Sequence, residues 1–453
     1  MEQFQIEPRR PTPDPDFPKY KYRFLIVILY GFYSGANFYQ LNQFTIIENV
    51  IAPHYKTSSY AVNISQLIFM VDLIIFIVPV VRIIEQYDLK VASVLCSSLT
   101  FLGAVMKVFF TAPSPDDFYF ILVAQFICGI GQVFTIMLPA KVVAVWFPSE
   151  EQNRACAAAL FGGELGMLLG AVCPILYVHE KNTNAEITSG LRQMLQSNAV
   201  ICALAFLAVL VLFKPKPPAP PSAIQSLVQD HKTHYYTAFF ELSANKDFLY
   251  LVLLFGISCG MWSVFGIFEN LIYLHYFPKS LMDLTTITAI TSISGGMIGN
   301  YLFGYILDKT LKYKLFTFLN FVCITLSYCA MVVFLEMRWH WSSYITVILF
   351  GFFSSCSVNI SFQYIAEVTY PISSVVPIAC LQVIICAVTV ISQVIFSLLL
   401  AEGYIMIVHW LTMATFCIIT FGTYFLSSNL KRMRGRQEIR ELRERRERRE
   451  RRD

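Results

Sequence analysis

Runs of about 20 apolar residues recur along the whole chain, and this repetition limits the fold more than any other feature. Each run is long enough to cross the hydrocarbon of a bilayer as a helix. The 453 residues are 56% apolar and 14% charged, whereas soluble domains carry about a quarter charged residues. We count twelve runs, at 24–48, 62–83, 90–111, 117–140, 154–178, 195–213, 248–274, 284–306, 314–336, 343–366, 376–400 and 403–426. The pattern predicts an all-α, multi-pass membrane protein with 12 transmembrane helices.

The distribution of Lys and Arg predicts the orientation, because basic residues accumulate in cytoplasmic loops. With both termini in the cytosol, most of the 34 basic residues fall on the inner side. Six fall outside or near the outer face: Lys56, Lys107, Lys181, Arg192, Lys279 and Arg338. The first 23 residues are polar and rich in proline, and they lack the apolar core of a cleavable signal. We therefore expect the first helix to act as its own insertion signal.

A proline-rich stretch in the middle of the chain suggests two halves. The expected parts are a cytosolic segment (1–23), a six-helix bundle (24–213), a cytosolic linker (214–247), a second six-helix bundle (248–428) and a charged cytosolic tail (429–453). Two polar features recur at an offset of 223 residues. Glu85 corresponds to Asp308, and Trp-Phe-Pro at 146–148 corresponds to Thr-Tyr-Pro at 369–371. A chain of two pseudo-symmetric six-helix bundles resembles the major facilitator superfamily, whose members bind substrate near the midplane between the bundles.

Charged residues gather at the predicted inner ends of the helices. We expect them to pair across the bundle interface in one state of a transport cycle and to separate in the other. These candidate gating residues are Glu85, Lys90, Lys141, Asp308, Lys309 and Glu367. The tail alternates Arg with Glu at helical spacing, which favours a solvated helix. Its excess of Arg is suited to anionic lipid of the inner leaflet. It predicts no nucleic-acid binding, because the inner membrane face already accounts for the basic bias.

Several motifs together resemble a narrower group, the feline leukaemia virus subgroup C receptor family. They are NFYQLNQFTIIENV (37–50), GQVFTIMLPAKVVAVWF (131–147), KPKPPAPPSAIQSL (214–227), GYILDKTLKYK (304–314) and FQYIAEVTYP (362–371). The likeness runs in order from about Arg23 to Leu426. It implies a facilitator of choline and ethanolamine that works by alternating access, with haem export as the alternative for this family.

The resemblance also implies positions for a substrate pocket. The family's pocket glutamine in the fourth span falls on Gln132 and is retained. The tryptophan, tyrosine and second glutamine of the pocket fall on Leu41, Ser263 and Cys386, which are different residues. Nearby side chains could compensate for them. Aromatic faces attract quaternary ammonium groups, and Tyr39, Phe44 and Trp262 stand next to the altered positions, with Gln382 one helical turn before Cys386.

Acidic residues inside membrane spans are costly and point to function. Asp72, Glu164 and Glu269 are the three that matter here. Glu164 is interpreted either as a counter-charge facing a cavity or as a protonated carboxyl that forms a hydrogen bond to a neighbouring helix. The same two interpretations apply to Asp72, which is expected near the first span. Glu269 lies nearer the outer end. Lys107 of the third span is expected to extend its long stem to the outer face.

Together these features predict a solute carrier for a small cation. Haem export would favour basic groups along the spans, which carry acids instead. A non-transporting receptor or sensor on the same fold is the third hypothesis. The chain has no nucleophile triad, phosphate loop or metal-ligand spacing, so we expect neither an enzyme nor a cofactor nor a metal site. We expect a monomer in the plasma membrane, whose partners are a small-molecule substrate and bilayer lipid.

Overall fold

The computed structural model describes residues 20–148, 151–178, 183–219, 235–277, 290–370, 372–426 and 430–431. The first half contains α1 Tyr22–Asn42, α2 Glu48–His54, α3 Ser59–Gln86, α4 Leu89–Val108, α5 Pro115–Met137, α6 Pro139–Trp146, α7 Gln152–Tyr177 and α8 Asn184–Leu212. The second half contains α9 Tyr235–Ala244, α10 Lys246–Tyr276, a π-helical segment Ser292–Gly299, α11 Asn300–Thr310, α12 Tyr313–Glu336, α13 His340–Thr369, α14 Val375–Ala401 and α15 Ile405–Thr423.

Eleven helices of the described ranges are long and apolar enough to cross a membrane. The remaining predicted span, 284–306, corresponds to the π segment and α11, which form one continuous helical stretch from Ser292 to Thr310. Residues 278–289, just before it, lie outside the described ranges. The all-α membrane architecture predicted from the sequence is therefore confirmed.

Two boundaries differ clearly from the sequence prediction. The sixth span was expected to begin at residue 195, but α8 begins at Asn184, where Thr183 and Glu186 form a capping box. The added turns of α8 carry Ile187 and Leu191, which are buried in a cluster at the outer end of the first half. Hydropathy alone missed these turns because polar residues alternate with the buried ones.

The predicted linker also contains structure. A short helix, α9, occupies Tyr235–Ala244, and its last residue is followed directly by Asn245, whose side chain caps α10. Residues 214–219 form no helix, as the proline-rich sequence requires. The middle of the linker, the N-terminal 19 residues and the basic tail from residue 432 onward lie outside the described part of the chain. The expected helix and lipid contact of the tail therefore stay predictions.

Glycines bring α1 and α7 into backbone contact. A Cβ atom added to Gly162 would lie 2.1 Å from the Gly31 carbonyl oxygen, and one added to Gly166 would lie 2.1 Å from that of Gly35. Small residues allow membrane helices to pack this closely. At about 100° per residue, Glu164 lies roughly opposite both glycines on α7. The glycine seam with α1 thus turns Glu164 toward the second half of the chain.

The two halves meet along two pairs of helices. The helix α7 packs against the π segment and α11, and α3 packs against α14. The backbones approach closely at Gly304 of α11, where an added Cβ would lie 2.8 Å from the Asn153 carbonyl oxygen. These pairs position every interbundle residue considered below.

Candidate functional site

Asp308 forms the largest set of polar contacts between the halves. Its carboxylate accepts hydrogen bonds from the backbone N–H groups of Asn153 and Arg154, both at 3.0 Å. It also accepts from the side-chain Nδ2 of Asn153 at 2.7 Å and from Nε of Arg154 at 3.0 Å. Glu151, the residue at the start of α7, provides no side-chain cap. An acid of the second half therefore caps a helix of the first half, where its charge also suits the helix dipole.

Glu85 forms the related contact on the other side. Its Oε1 accepts a hydrogen bond of 2.7 Å from Ser373, which immediately precedes the start of α14. Lys141 lies 3.4 Å from Glu85 and donates to the Ile84 carbonyl oxygen at 2.7 Å. The Glu85–Lys141 ion pair thus lies within the first half in this state, and the gating role of Lys141 stays a prediction.

The other candidate gating residues lie elsewhere. Lys309 is exposed, and its Nζ lies 4.3 Å from the centre of the Tyr305 ring on its own helix. Lys90 is half-buried and forms no salt bridge or hydrogen bond with the residues described. Glu367 is 2% exposed within α13. Sequence reasoning did not select Asn153 and Arg154, the two residues of α7 that donate to Asp308.

Gln132 lies on α5, two turns before the helix is interrupted at Pro139. Its side chain is 5% exposed, and its amide makes no hydrogen bond to any described residue. Neighbouring glycines contribute no side chain: Gly129 packs against Asp72, and Gly131 packs against Thr100. A buried amide without partners costs several kcal/mol in an apolar medium, on the order of a lost hydrogen bond or more. Its donor and acceptor are therefore available to another molecule.

The candidate residues in and beside the first span do not form an aromatic cluster. Tyr39 and Leu41 are half-buried on α1, and the backbone of Tyr39 packs against Gly170. Phe44, just beyond α1, is fully buried, and the Lys107 ammonium lies 5.8 Å from the centre of its ring. The ring of Phe44 is therefore already occupied within the first half.

Trp262 belongs to an aromatic cluster inside the second half. Its ring packs edge-on against Phe350 at 5.3 Å and stacks with Phe265 at 6.2 Å between ring centres. The next residue, Ser263, is half-buried and donates its hydroxyl proton to the Cys259 carbonyl oxygen at 3.0 Å. Adjacent residues point about 100° apart on a helix, so Trp262 and Ser263 face different surroundings.

On α14 the two candidate positions differ in exposure. Gln382 is half-buried, whereas Cys386 is 6% exposed. The same helix contacts α10 closely, since a Cβ added to Gly260 would lie 2.7 Å from a Val388 methyl carbon. Of this pair, Gln382 is the more accessible polar side chain.

Glu164 reaches from α7 to the π segment of the second half. Its Oε2 lies 2.6 Å from the position that a Cβ of Gly296 would occupy, so a larger residue there would require the carboxylate to move. The side chain is half-buried, and it takes part in no hydrogen bond or salt bridge with a described residue. The carboxylate is thus placed at the contact between the halves without a basic partner.

A separate cavity of about 310 Å³ lies at the inner end, lined in part by Glu241, Thr369 and Lys431. None of the residues that the sequence selected for substrate binding lines it. The described residues also hold no group of three or more His, Cys, Asp or Glu side chains that could bind a metal ion.

Comparison with known proteins decides the family. Residues 24–376 match the family model described as Major Facilitator Superfamily. The chain belongs to the major facilitator superfamily. The choline/ethanolamine transporter flvcr2a of Danio rerio is 29% identical over 432 residues, covering 92% of this chain and 89% of that protein. The choline/ethanolamine transporter FLVCR2 of Homo sapiens is 27% identical, over 77% of this chain and 66% of that protein. The predicted resemblance to this group is confirmed.

Solved structures show the same superfamily fold. The proton:xylose symporter XylE matches with a TM-score of 0.72 at 12% identity, covering 91% of this chain and 98% of that one. The transporter FucP in its outward conformation matches with a TM-score of 0.69 at 14% identity, over 90% and 98% of the two chains. Together with the family match and the named relatives, the chain is a multi-pass membrane transporter rather than an enzyme.

Lys107 of α4 differs from its sequence prediction. It was expected to reach the outer face, but its side chain is fully buried. Its ammonium donates to Gln40 Oε1 on α1 at 2.6 Å and to Gln125 Oε1 on α5. Gln125 in turn donates to the Gln40 backbone carbonyl oxygen at 3.0 Å. The lysine thus joins three helices, α1, α4 and α5, at a point that no lipid contacts.

Asp72 is a second buried charge-bearing group of the first half. It lies against Gly129 of α5, where an added Cβ would be 1.9 Å from its Oδ2. The side chain is fully buried, and neither carboxylate oxygen has a hydrogen-bond donor among the described residues. Gly129 is therefore required to admit this carboxyl group beside the helix.

The Lys107 network predicts a large effect on stability. Lys107→Met should leave Gln125 Oε1 without a donor, at about 1–3 kcal/mol, and Gln40 Oε1 with only the weak Cys128 thiol donor. We expect the purified variant to unfold at a clearly lower temperature in detergent than the parent. Lys90→Met, which removes a half-buried lysine outside any described network, should change stability by less than about 0.5 kcal/mol. Equal unfolding temperatures for Lys107→Met and the parent would show that the lysine is not a structural centre.

Proposed function

We propose that this carrier moves a small organic cation, such as choline or ethanolamine, across the membrane by alternating access. The names of its relatives supply the substrate class. The observation that carries the proposal is Glu164, a half-buried carboxylate at the contact between the halves that has no basic partner among the described residues. A carboxylate in such surroundings attracts a cation and disfavours an anion such as haem.

The proposed binding residues come from both halves. Gln132 on α5 and Glu164 on α7 provide polar groups from the first half, together with Tyr39 and Leu41 on α1. Ser263 on α10 and Gln382 with Cys386 on α14 provide the opposing surface. Trp262 is the weakest candidate of this set, because its ring is engaged with Phe265 and Phe350.

The cross-bundle contacts of Asp308 and Glu85 form the proposed inner gate. Each residue lies near the end of a helix in its own half and accepts a hydrogen bond from the start of a helix in the other half. When the inner side opens, these contacts must break and the carboxylates must be solvated. Lys309 and Lys90 have no part in the gate in this state.

Removal of the Asp308 carboxylate should favour the inner-open state. Hydrogen bonds to charged groups contribute about 1.5–3 kcal/mol, so Asp308→Ala should shift the ratio of closed to open molecules by roughly tenfold or more. Spin labels at positions 87 and 312, one on each half, would report the distance between the inner ends. Lys309→Ala removes the neighbouring charge without touching the interface and should leave the distribution unchanged. An unaltered distribution for Asp308→Ala would contradict the gate.

Uptake by cells or liposomes that contain the chain tests the function itself. A negative interior drives a monovalent cation inward by about 2.3 kcal/mol per 100 mV. We therefore expect concentrative uptake of labelled choline or ethanolamine, abolished by depolarisation, and no haem transport. Transport of neither amine would contradict the proposed function, and a chain that only binds them would behave as a receptor or sensor.

Gln132 should contribute one polar contact to transport. Gln132→Ala is expected to weaken transport by up to about tenfold, corresponding to roughly 0.5–1.5 kcal/mol. Gln132→Leu should be worse, because it fills the same space without a donor or acceptor. Gln86→Ala, at an exposed glutamine on the inner end of α3, is the matched control. If both Gln132 variants transport at the parent's rate for equal surface amounts, the assignment of this residue is wrong.

A further inference from the structure

We propose that Glu164 makes the carrier select ammonium groups that retain N–H donors, so that ethanolamine is preferred to fully methylated choline. This inference rests on the proposed function and specifies the substrate class of the same site. Its basis is the combination of a carboxylate without a described donor and aromatic rings that are engaged elsewhere.

The carboxylate supplies acceptors and no donors. An ionised Glu has two oxygens with about four lone-pair positions, all of which seek N–H or O–H groups. At Glu164 a Cβ added to Gly296 would lie 2.6 Å from Oε2, so the missing side chain of this glycine leaves space for the carboxylate. A primary ammonium brings three N–H groups, whereas a trimethylammonium brings none. Only the former can form charge-assisted hydrogen bonds with this group.

A trimethylammonium depends instead on aromatic faces. Such a cation is held by rings within about 6 Å of its centre. The rings adjacent to the candidate site are already occupied, since Trp262 packs on Phe350 and Phe44 faces the Lys107 ammonium. The positions Leu41, Ser263 and Cys386 carry no ring. Phe38 and Tyr39 are half-buried aromatic residues beside Leu41 on α1, and because adjacent residues point about 100° apart on a helix, these two rings do not enclose one cation together.

The second polar group of the proposed site strengthens the same preference. Gln132 has an amide oxygen without a described donor, and this oxygen can accept an N–H group or the substrate hydroxyl. Each methyl group added to the substrate nitrogen removes one donor and adds volume next to the carboxylate. The affinity for the substrate should therefore fall with each added methyl group.

A methylation series tests this directly. Ethanolamine, N-methylethanolamine, N,N-dimethylethanolamine and choline are compared as competitors of labelled ethanolamine uptake by the full-length chain. We expect the inhibition constant to rise along the series, by roughly tenfold or more between its ends, as expected for loss of one hydrogen bond to a charged group. Direct uptake of labelled choline and ethanolamine at equal surface amounts of protein checks that competition reflects transport.

Two carboxyl variants assign the selectivity to one residue. Glu164→Gln keeps the shape and one acceptor but removes the charge, so the ratio of choline to ethanolamine inhibition constants should fall to within about threefold of unity. Glu269→Gln removes a half-buried carboxyl on α10 and should leave the parent's ratio unchanged. Glu164→Asp keeps the charge and should preserve the order of the series. This control distinguishes loss of the charge from a folding defect in Glu164→Gln.

The outcomes separate this inference from the function on which it rests. Uptake of both amines with a flat or inverted methylation series would overturn the selectivity while the transport function stands. A ratio that collapses in Glu269→Gln but not in Glu164→Gln would overturn the role of Glu164. Absence of uptake for all four compounds would overturn both the selectivity and the proposed function.

Discussion

The carboxylate of Asp308 at the start of α7 is the interaction on which the observed state depends. The first N–H groups of any helix lack intrahelical acceptors and need another partner. In α7 that partner comes from α11 of the opposite half, through two backbone and two side-chain donors. Helix capping and closure of the inner end are thus one interaction, and α7 cannot separate from α11 without exposing its own terminus to water.

The helix α7 combines three contacts that would otherwise be independent. Gly162 and Gly166 lock one face to the α1 backbone, while Glu164 on the opposite face meets the π segment. The N-terminus meets Asp308. Because α1 and α7 approach too closely to slide over one another, they are expected to move as a unit. The proposed binding carboxylate therefore moves with the proposed gate.

The sequence predicted the features that depend on local pattern. Hydropathy located the spans, and the 223-residue offset paired Glu85 with Asp308, which make equivalent cross-bundle contacts. The sequence could not predict which side chains contact one another, because these contacts depend on which faces of two helices lie opposite each other. Lys107 lies near the end of a span, where reaching the surface is usual, yet acceptors from α1 and α5 hold it inside. Trp262 is adjacent to Ser263 in the chain, but it packs among the aromatic residues of its own half.

The two sides of the inner closure are related by the repeat but are unequal in strength. Asp308 receives four hydrogen bonds from the first half, whereas Glu85 receives one from Ser373 and is otherwise paired within its own half. Opening should therefore be resisted mainly along α7 and α11. Glu164 lies on α7 ten residues beyond Arg154, or about 15 Å along the helix. A continuous helix links the two sites, so a cation that changes how Glu164 meets the π segment acts on the same interface that Asp308 closes.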